Sequence, residues 1–290
     1  MEMVMNTQCL LCHLERNIEL ARKLGDEATA MDFARELMKM YLSAPENVSS
    51  PHFAADTEKL LQKFYNVAQD RFAQEKQESN RFVLERMAEL RTLAAKQEDP
   101  VLAGLKLAIL GNYIDFSALR GKVSFSVLDE MIASALEMEL ESAVYQKLRG
   151  DLKSAKRLLY VTDNAGEIGF DRIFAEAIQK KYPHLEIIFC VRGGPAANDA
   201  TRADAAEVGI PFKVIDNGNT VPGTLPELLG EEAKAAFESA DVILSKGQGN
   251  VETLLGCGYN IYYAFLVKCP LFVEKFRKPK LSPMLVKERS

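Results

Sequence analysis

The segment Thr162-Asp163-Asn164-Ala165-Gly166-Glu167 sets two carboxylates, a carboxamide and a glycine bend directly after the apolar run Leu158, Leu159, Tyr160, Val161. Apolar positions at helical spacing follow at Ile168, Phe170, Ile173, Phe174 and Ala177, so the stretch reads as strand, turn, helix. The carboxyl ends of strands in an open parallel sheet face the ligand crevice, and hard oxygen donors there suit a divalent cation. Two further apolar runs end in polar loops. Glu186 to Val191 leads into Arg192-Gly193-Gly194-Pro195-Ala196-Ala197-Asn198-Asp199, and Asp241 to Ser245 leads into Lys246-Gly247-Gln248-Gly249-Asn250. Asp163, Asn164 and Asp199 form an oxygen set suited to magnesium or manganese rather than zinc or copper. Arg192 and Lys246 add positive charge, and the amides of Gly247 to Asn250 open a helix; together these suit a phosphate.

Each loop alone has a plainer reading. The Asp-Asn pair can be an Asx turn with a helix cap. The segment 247–252, GQGNVE, comes near a dinucleotide fingerprint, but its sixth position is Glu252 and no strand-end acid follows at the expected distance, which argues against a nicotinamide or flavin site. A methyltransferase on the same layered fold would want its glycines after the first strand and an acid after the second, the reverse of what stands here.

The elements that would hold these loops divide the chain. Candidate strands at 157–162, 186–191, 212–215, 241–245 and 261–266 alternate with helices near 167–181, 199–208, 226–238 and 250–256, the pattern of a parallel sheet covered by helices. Before them the pattern is helical. Residues 8–24 carry Leu10, Leu11, Leu14, Ile18, Leu20 and Leu24 as one stripe closed by Gly25, and helices follow near 26–41, 54–65 and 70–97. The run from Val101 to Phe116 is nearly all apolar and breaks at Gly111-Asn112, leaving Asn112 and Asp115 either to cap local backbone or to line a pocket. The expected class is α/β: an all-helical region, 1–150, as a cap, then a Rossmann-like parallel sheet with helices on both faces, 151–290, as the metal- and phosphate-binding domain.

Cys9 and Cys12 fall on one face of the first helical turn, where the helix N-terminus lowers thiol pKa, so they form either a soft-metal or redox pair or two small apolar packing residues. Zinc would need two more ligands, from His13 or from Cys257 or Cys269 at the far end. Five cysteines, an odd count, read as thiols in a reducing compartment, and three histidines leave little for a His-based zinc site or triad. A net charge of −5 disfavours a nucleic-acid surface. No basic and apolar leader opens the chain, and the longest apolar run, 261–267, is far short of the roughly 20 residues that span a bilayer. A cytoplasmic protein with no membrane partner is expected; the oligomeric state stays open.

The set DNAGEIGFD, RGGPAANDAT and SKGQGNVETL, preceded by LGNYIDF, resembles the metal-dependent damage-control phosphatase family (DUF89-like, with an ARMT-like metal-binding domain). The CxxC helix is similar to that of its mainly prokaryotic branch, and Lys76 to Asn80 matches a Lys-x-x-x-Asn helix. The chain departs from the family at Asp70-Arg71-Phe72, where the pattern is Asp-Pro-Tyr. The resemblance implies a divalent cation (manganese, cobalt, nickel or magnesium) on Asp163, Asn164 and Asp199, with Lys246, Gly247 and Asn250 on the phosphate. Glu167, Arg192 and Asn198 would shape the pocket, and Asp171, with Asn112 and Asp115, would stand behind. The implied reaction is metal-assisted hydrolysis of phosphate esters of small metabolites such as sugar phosphates, with Asp163 and Lys246 catalytic and either water or the Asp163 carboxylate as attacker. The competing reading is a non-catalytic metal- or nucleotide-binding module built on Cys9 and Cys12.

Overall fold

The computed structural model describes residues 3–45, 48–115 and 123–288. Phe116, the last residue of the apolar stretch from Val101, lies outside them. The helical part comprises α1 (Thr7–Leu24), α2 (Glu27–Leu42), α3 (Ala54–Tyr65), α4 (Ala73–Ala95), α5 (Pro100–Gly111), α6 (Phe125–Ser134) and α7 (Ser142–Ser154). The alternating part runs β1 (Arg157–Val161), α8 (Glu167–Lys181), β2 (Glu186–Val191), α9 (Arg202–Glu207), β3 (Lys213–Asp216), α10 (Glu231–Ser239), β4 (Val242–Lys246), α11 (Gln248–Leu254), β5 (Ile261–Leu266), α12 (Pro270–Phe276) and β6 (Pro283–Lys287).

The sheet order is β3-β2-β1-β4-β5-β6, with β6 antiparallel to β5 and the other pairings parallel. The direction of winding reverses between β1 and β4, and a doubly wound sheet opens its ligand crevice at that switch point. The β-rich runs are buried on both sides, as parallel strands covered by helices must be. Leu158, Tyr160, Phe189, Leu244 and Tyr262 face a core shared with α4 to α8, and this cluster is continuous from Phe82 to Leu285. Leu159, Val161, Ile188, Ile243 and Phe265 face the opposite core, with α10, α11 and α12.

Helices α1 to α3 have a small core of their own, made by Ala21, Ala30, Phe33, Leu37 and Leu61. The short 3-10 turn Ser50–Phe53 packs on α11, and α1 packs on α12. Because α11 and α12 follow β4 and β5, this module sits over the carboxyl edge of the sheet. The expected leucine stripe of α1 is corrected by its packing: Leu11 and Leu24 are 67% and 41% exposed, while Asn17 and Ala21 are buried. Asn17 is admitted because its Nδ2 donates to the His13 carbonyl at 2.8 Å. Among the described residues no helix is long and apolar enough to cross a membrane.

Candidate metal centre

The turn after β1 is stitched to the loop after β2 by backbone. Asn164 and Asp199 form an antiparallel bridge, Ala165 N donates to Asn198 O at 2.9 Å, and Ala200 N donates to Asp163 O at 2.7 Å. Asp163, Asn164, Asn198 and Asp199 are thereby held side by side. Gly166, at φ +75°, makes the bend into α8, and a Cβ there would lie 2.6 Å from Ser79 Cβ. Its N–H donates to Asn80 Oδ1 at 2.7 Å, while Asn80 Nδ2 reaches Asp204 and Glu207 at 3.0 and 2.7 Å. Lys76 pairs with Asp204 at 3.0 Å, so the Lys-x-x-x-Asn helix clamps the turn that carries the acids.

The side chains form one buried polar network. Asp163 Oδ2 accepts from Asn112 Nδ2 at 3.0 Å and Asn164 Nδ2 at 2.8 Å; the same two amides donate to Glu167 Oε2 at 2.9 and 2.7 Å. Asn112 Oδ1 accepts from Leu266 N at 3.0 Å, so this residue ties α5 to the acids and to the end of β5. Gly247, at φ +77°, passes so close that a Cβ would stand 1.9 Å from Asp163 Oδ2, which excludes any side chain.

The cations are more committed than their types suggested. Lys246, fully buried, donates to Ala108 O, Glu167 Oε1 and Asp171 Oδ1 at 2.8, 2.6 and 2.8 Å, which accounts for all three of its N–H bonds. Arg192 holds Asp199 at 2.6 Å and reaches Thr224 and Asn250 at 3.1 Å each. Asn250 Nδ2 donates to Thr162 O and Lys246 O at 3.0 and 2.7 Å, tying α11 to the ends of β1 and β4. The Gly247 N–H donates to Ala264 O at 3.2 Å. Asp171 also accepts from Tyr160 Oη at 2.7 Å.

Lys268, which sequence reasoning missed, lies just past β5, is 2% exposed, and pairs with Asp115 at 2.6 Å. Its charge acts at Asp163, favouring the carboxylate. The strand-end rule that picked out three loops applies equally to the fourth, Val267-Lys268-Cys269, and would have found it.

Burial, then Glu167 and Asp199, push the Asp163 carboxyl well above the usual range. Burial pushes Asp199 up to about 6 against the pull of Arg192, and Asp171 up to about 7 against Lys246. Burial opposes the Lys246 charge too, but Asp171 and Glu167 keep that ammonium above its ordinary value. The network holds the carboxylates of Asp115, Asp163, Glu167, Asp171 and Asp199 against the cations Arg192, Lys246 and Lys268, all of them buried. With all five carboxyls ionised the set would carry two negative charges in excess, which one divalent cation would balance, and buried charge left unbalanced is costly. Asp163, Asn164 and Asp199 are hard oxygen donors that fit such an ion. Among the described residues no three His, Cys, Asp or Glu side chains group to hold a metal, so a site here must use amide oxygens as well.

The CxxC pair lies elsewhere. Cys9 is half-buried and Cys12 exposed. The expected lowering at a helix N-terminus is reversed at Cys9: burial raises its thiol pKa and outweighs the pull of the Asn6 and Cys9 backbone N–H groups.

Residues 5–282 match the family model described as the damage-control phosphatase ARMT1-like domain. The chain belongs to the damage-control phosphatase ARMT1-like family. An uncharacterised protein of Methanocaldococcus jannaschii is 31% identical over 287 residues, covering 92% of this chain and 90% of its own length. A damage-control phosphatase of Pyrococcus horikoshii is 38% identical over 181 residues, 61% of each chain. One from Archaeoglobus fulgidus is 28% identical, over 75% of this chain and 74% of its own. In structure, this ARMT1-like chain superposes on the crystal structure of a DUF89 family protein from Pyrococcus horikoshii with a TM-score of 0.84 and 27% identity, covering 99% of this chain and 100% of that one. The helical region followed by a mostly parallel sheet is therefore the architecture of the ARMT1-like family.

Proposed function

We propose that the protein is a metal-dependent phosphatase acting on phosphate esters of small metabolites, damaged or surplus sugar phosphates among them. The observation that carries this reading is the convergence of the buried oxygen donors Asp163, Asn164 and Asp199 at the switch point of the sheet. Two relatives bearing the name damage-control phosphatase support it.

In this reading Asp163, Asn164 and Asp199 hold the cation. A bound divalent cation supplies charge neutralisation for phosphoryl oxygens. Glu167 and Asn112 fix the Asp163 carboxylate through shared amide hydrogen bonds, so its free oxygen keeps one direction. Arg192 orients Asp199 in the same manner. Lys246 balances Glu167 and Asp171 from beneath and acts as a positioning residue. Lys268, whose ammonium pairs with Asp115, brings the positive charge that meets the phosphate in this reading. Asn250 and Gly247 let the β4 loop pass close against Asp163 and the end of β1.

The test is phosphate release from a broad panel of phosphate esters by protein stripped with chelator and reloaded with manganese, cobalt, nickel or magnesium. Release that depends on the metal and vanishes in Asp163→Ala is expected. No release with any metal, or full activity in Asp163→Ala, overturns the reading.

A further inference from the structure

Asn198, the chain neighbour of Asp199, carries a buried acceptor without a partner. It is 2% exposed, and its Nδ2 donates to Asn164 Oδ1 at 2.8 Å and to Ile114 O at 3.3 Å, yet its Oδ1 is buried with no partner. The orientation of the amide is determined, because turning it over would set its oxygen against two other acceptors. A buried carbonyl oxygen left bare is costly and asks for an occupant.

The place of that oxygen suits a cation held together with Asn164 Oδ1. The oxygen and nitrogen of one amide lie about 2.3 Å apart, so Asn198 Oδ1 is within about 5 Å of Asn164 Oδ1. Ligands of one octahedral cation stand about 3 Å apart when adjacent and about 4 Å when opposite. Asn198 is moreover the chain neighbour of Asp199, and its carbonyl anchors Ala165 N in the stitch between the two loops.

We propose that Asn198 Oδ1 is a further ligand of the cation, so that the centre is built from two carboxylates and two carboxamides. This rests on the metal-dependent reading above. The second amide adds a neutral hard oxygen and leaves the charge of the site at that of its two carboxylates. The Asn198 N–H on Asn164 Oδ1 couples the two amides, so each holds the other in register for the ion.

The experiment is calorimetric titration of chelator-treated protein with Mn2+ alone, comparing the native chain with Asn198→Ala and Asn198→Asp, and melting curves in chelator to follow the fold. Asn198→Ala should bind Mn2+ about 10- to 100-fold more weakly. Asn198→Asp keeps an oxygen but loses both N–H bonds, so it should melt lower in chelator while binding Mn2+ at least as tightly as the native chain. If Asn198 only braces Asn164, both variants lose affinity together, and that outcome overturns the proposal. Unchanged affinity in Asn198→Ala also overturns it. A native chain that takes up none of Mn2+, Co2+, Ni2+ and Mg2+ in the same titration overturns the metal-dependent reading itself.

Discussion

Helices α1 to α3 and the carboxyl edge of the sheet are made with similar ion pairs placed in opposite surroundings. In the helical module, Lys59 meets Asp56 at 2.9 Å and Arg35 meets Asp32 at 2.8 Å, with every one of these side chains at least 59% exposed. Beneath it, Lys246 meets Glu167 at 2.6 Å and Arg192 meets Asp199 at 2.6 Å with almost no solvent access. Water screens the first set, and such pairs add little to stability. The second set has no water to fall back on, so each member depends on the others. Similar distances thus carry different weight, and it is burial that decides which pairs organise the protein.

That contrast is broken most sharply at Lys246. Lys246→Met leaves Glu167 and Asp171 facing each other without a cation, and should lower unfolding stability by about 3–5 kcal/mol in urea denaturation. Adding Asp171→Asn should return part of the loss, since one of the two stranded charges is gone. A single variant as stable as the native chain would mean that the network is not electrostatically closed. A smaller effect is expected at Asn80, which binds the turn from outside the charged set. Asn80→Ala leaves the Gly166 N–H without its partner and should cost about 1–3 kcal/mol by the same measurement. The smallest belongs to the exposed module: Lys59→Ala should leave the denaturation midpoint unchanged within error, and a clear shift would show that the module's surface pairs matter more than their exposure allows.

The strands and their order of function were legible in the sequence for a definite reason. Each parallel strand is a short apolar run that stops at polar residues, and a sheet covered on both faces leaves no other place for such runs. β6 escaped because Pro283–Lys287 is only half-buried and pairs at the edge of the sheet, so it lacks the dense apolar signature of its neighbours. The oxygen donors around Asp163 were likewise visible as residue types just past strand ends. Their partners were not. Nothing near Lys246 in the chain announces that its ammonium reaches Ala108 O, 138 positions away, or that Asn112 joins Asp163 to Leu266. Long polar side chains declare their chemistry in the sequence but choose their partners only through packing. The leucine stripe on α1 held only in part: Leu14 and Leu20 pack on the core while Leu11 and Leu24 do not, and the face that approaches most closely is the one carrying Ala21 and Asn17.

The bridge between Asn164 and Asp199 also fixes when the protein can first become competent. Helices form from local contacts, whereas this bridge, the reach of Lys246 to Ala108 and the passage of Gly247 against Asp163 all join parts of the chain that meet only after β1, β2 and β4 lie side by side. Pairings of this range are the slow ones in folding. A refolding chain would therefore regain its helical signal before the buried acids and cations are brought together, and a newly made one lacks the assembled network until β4 has left the ribosome.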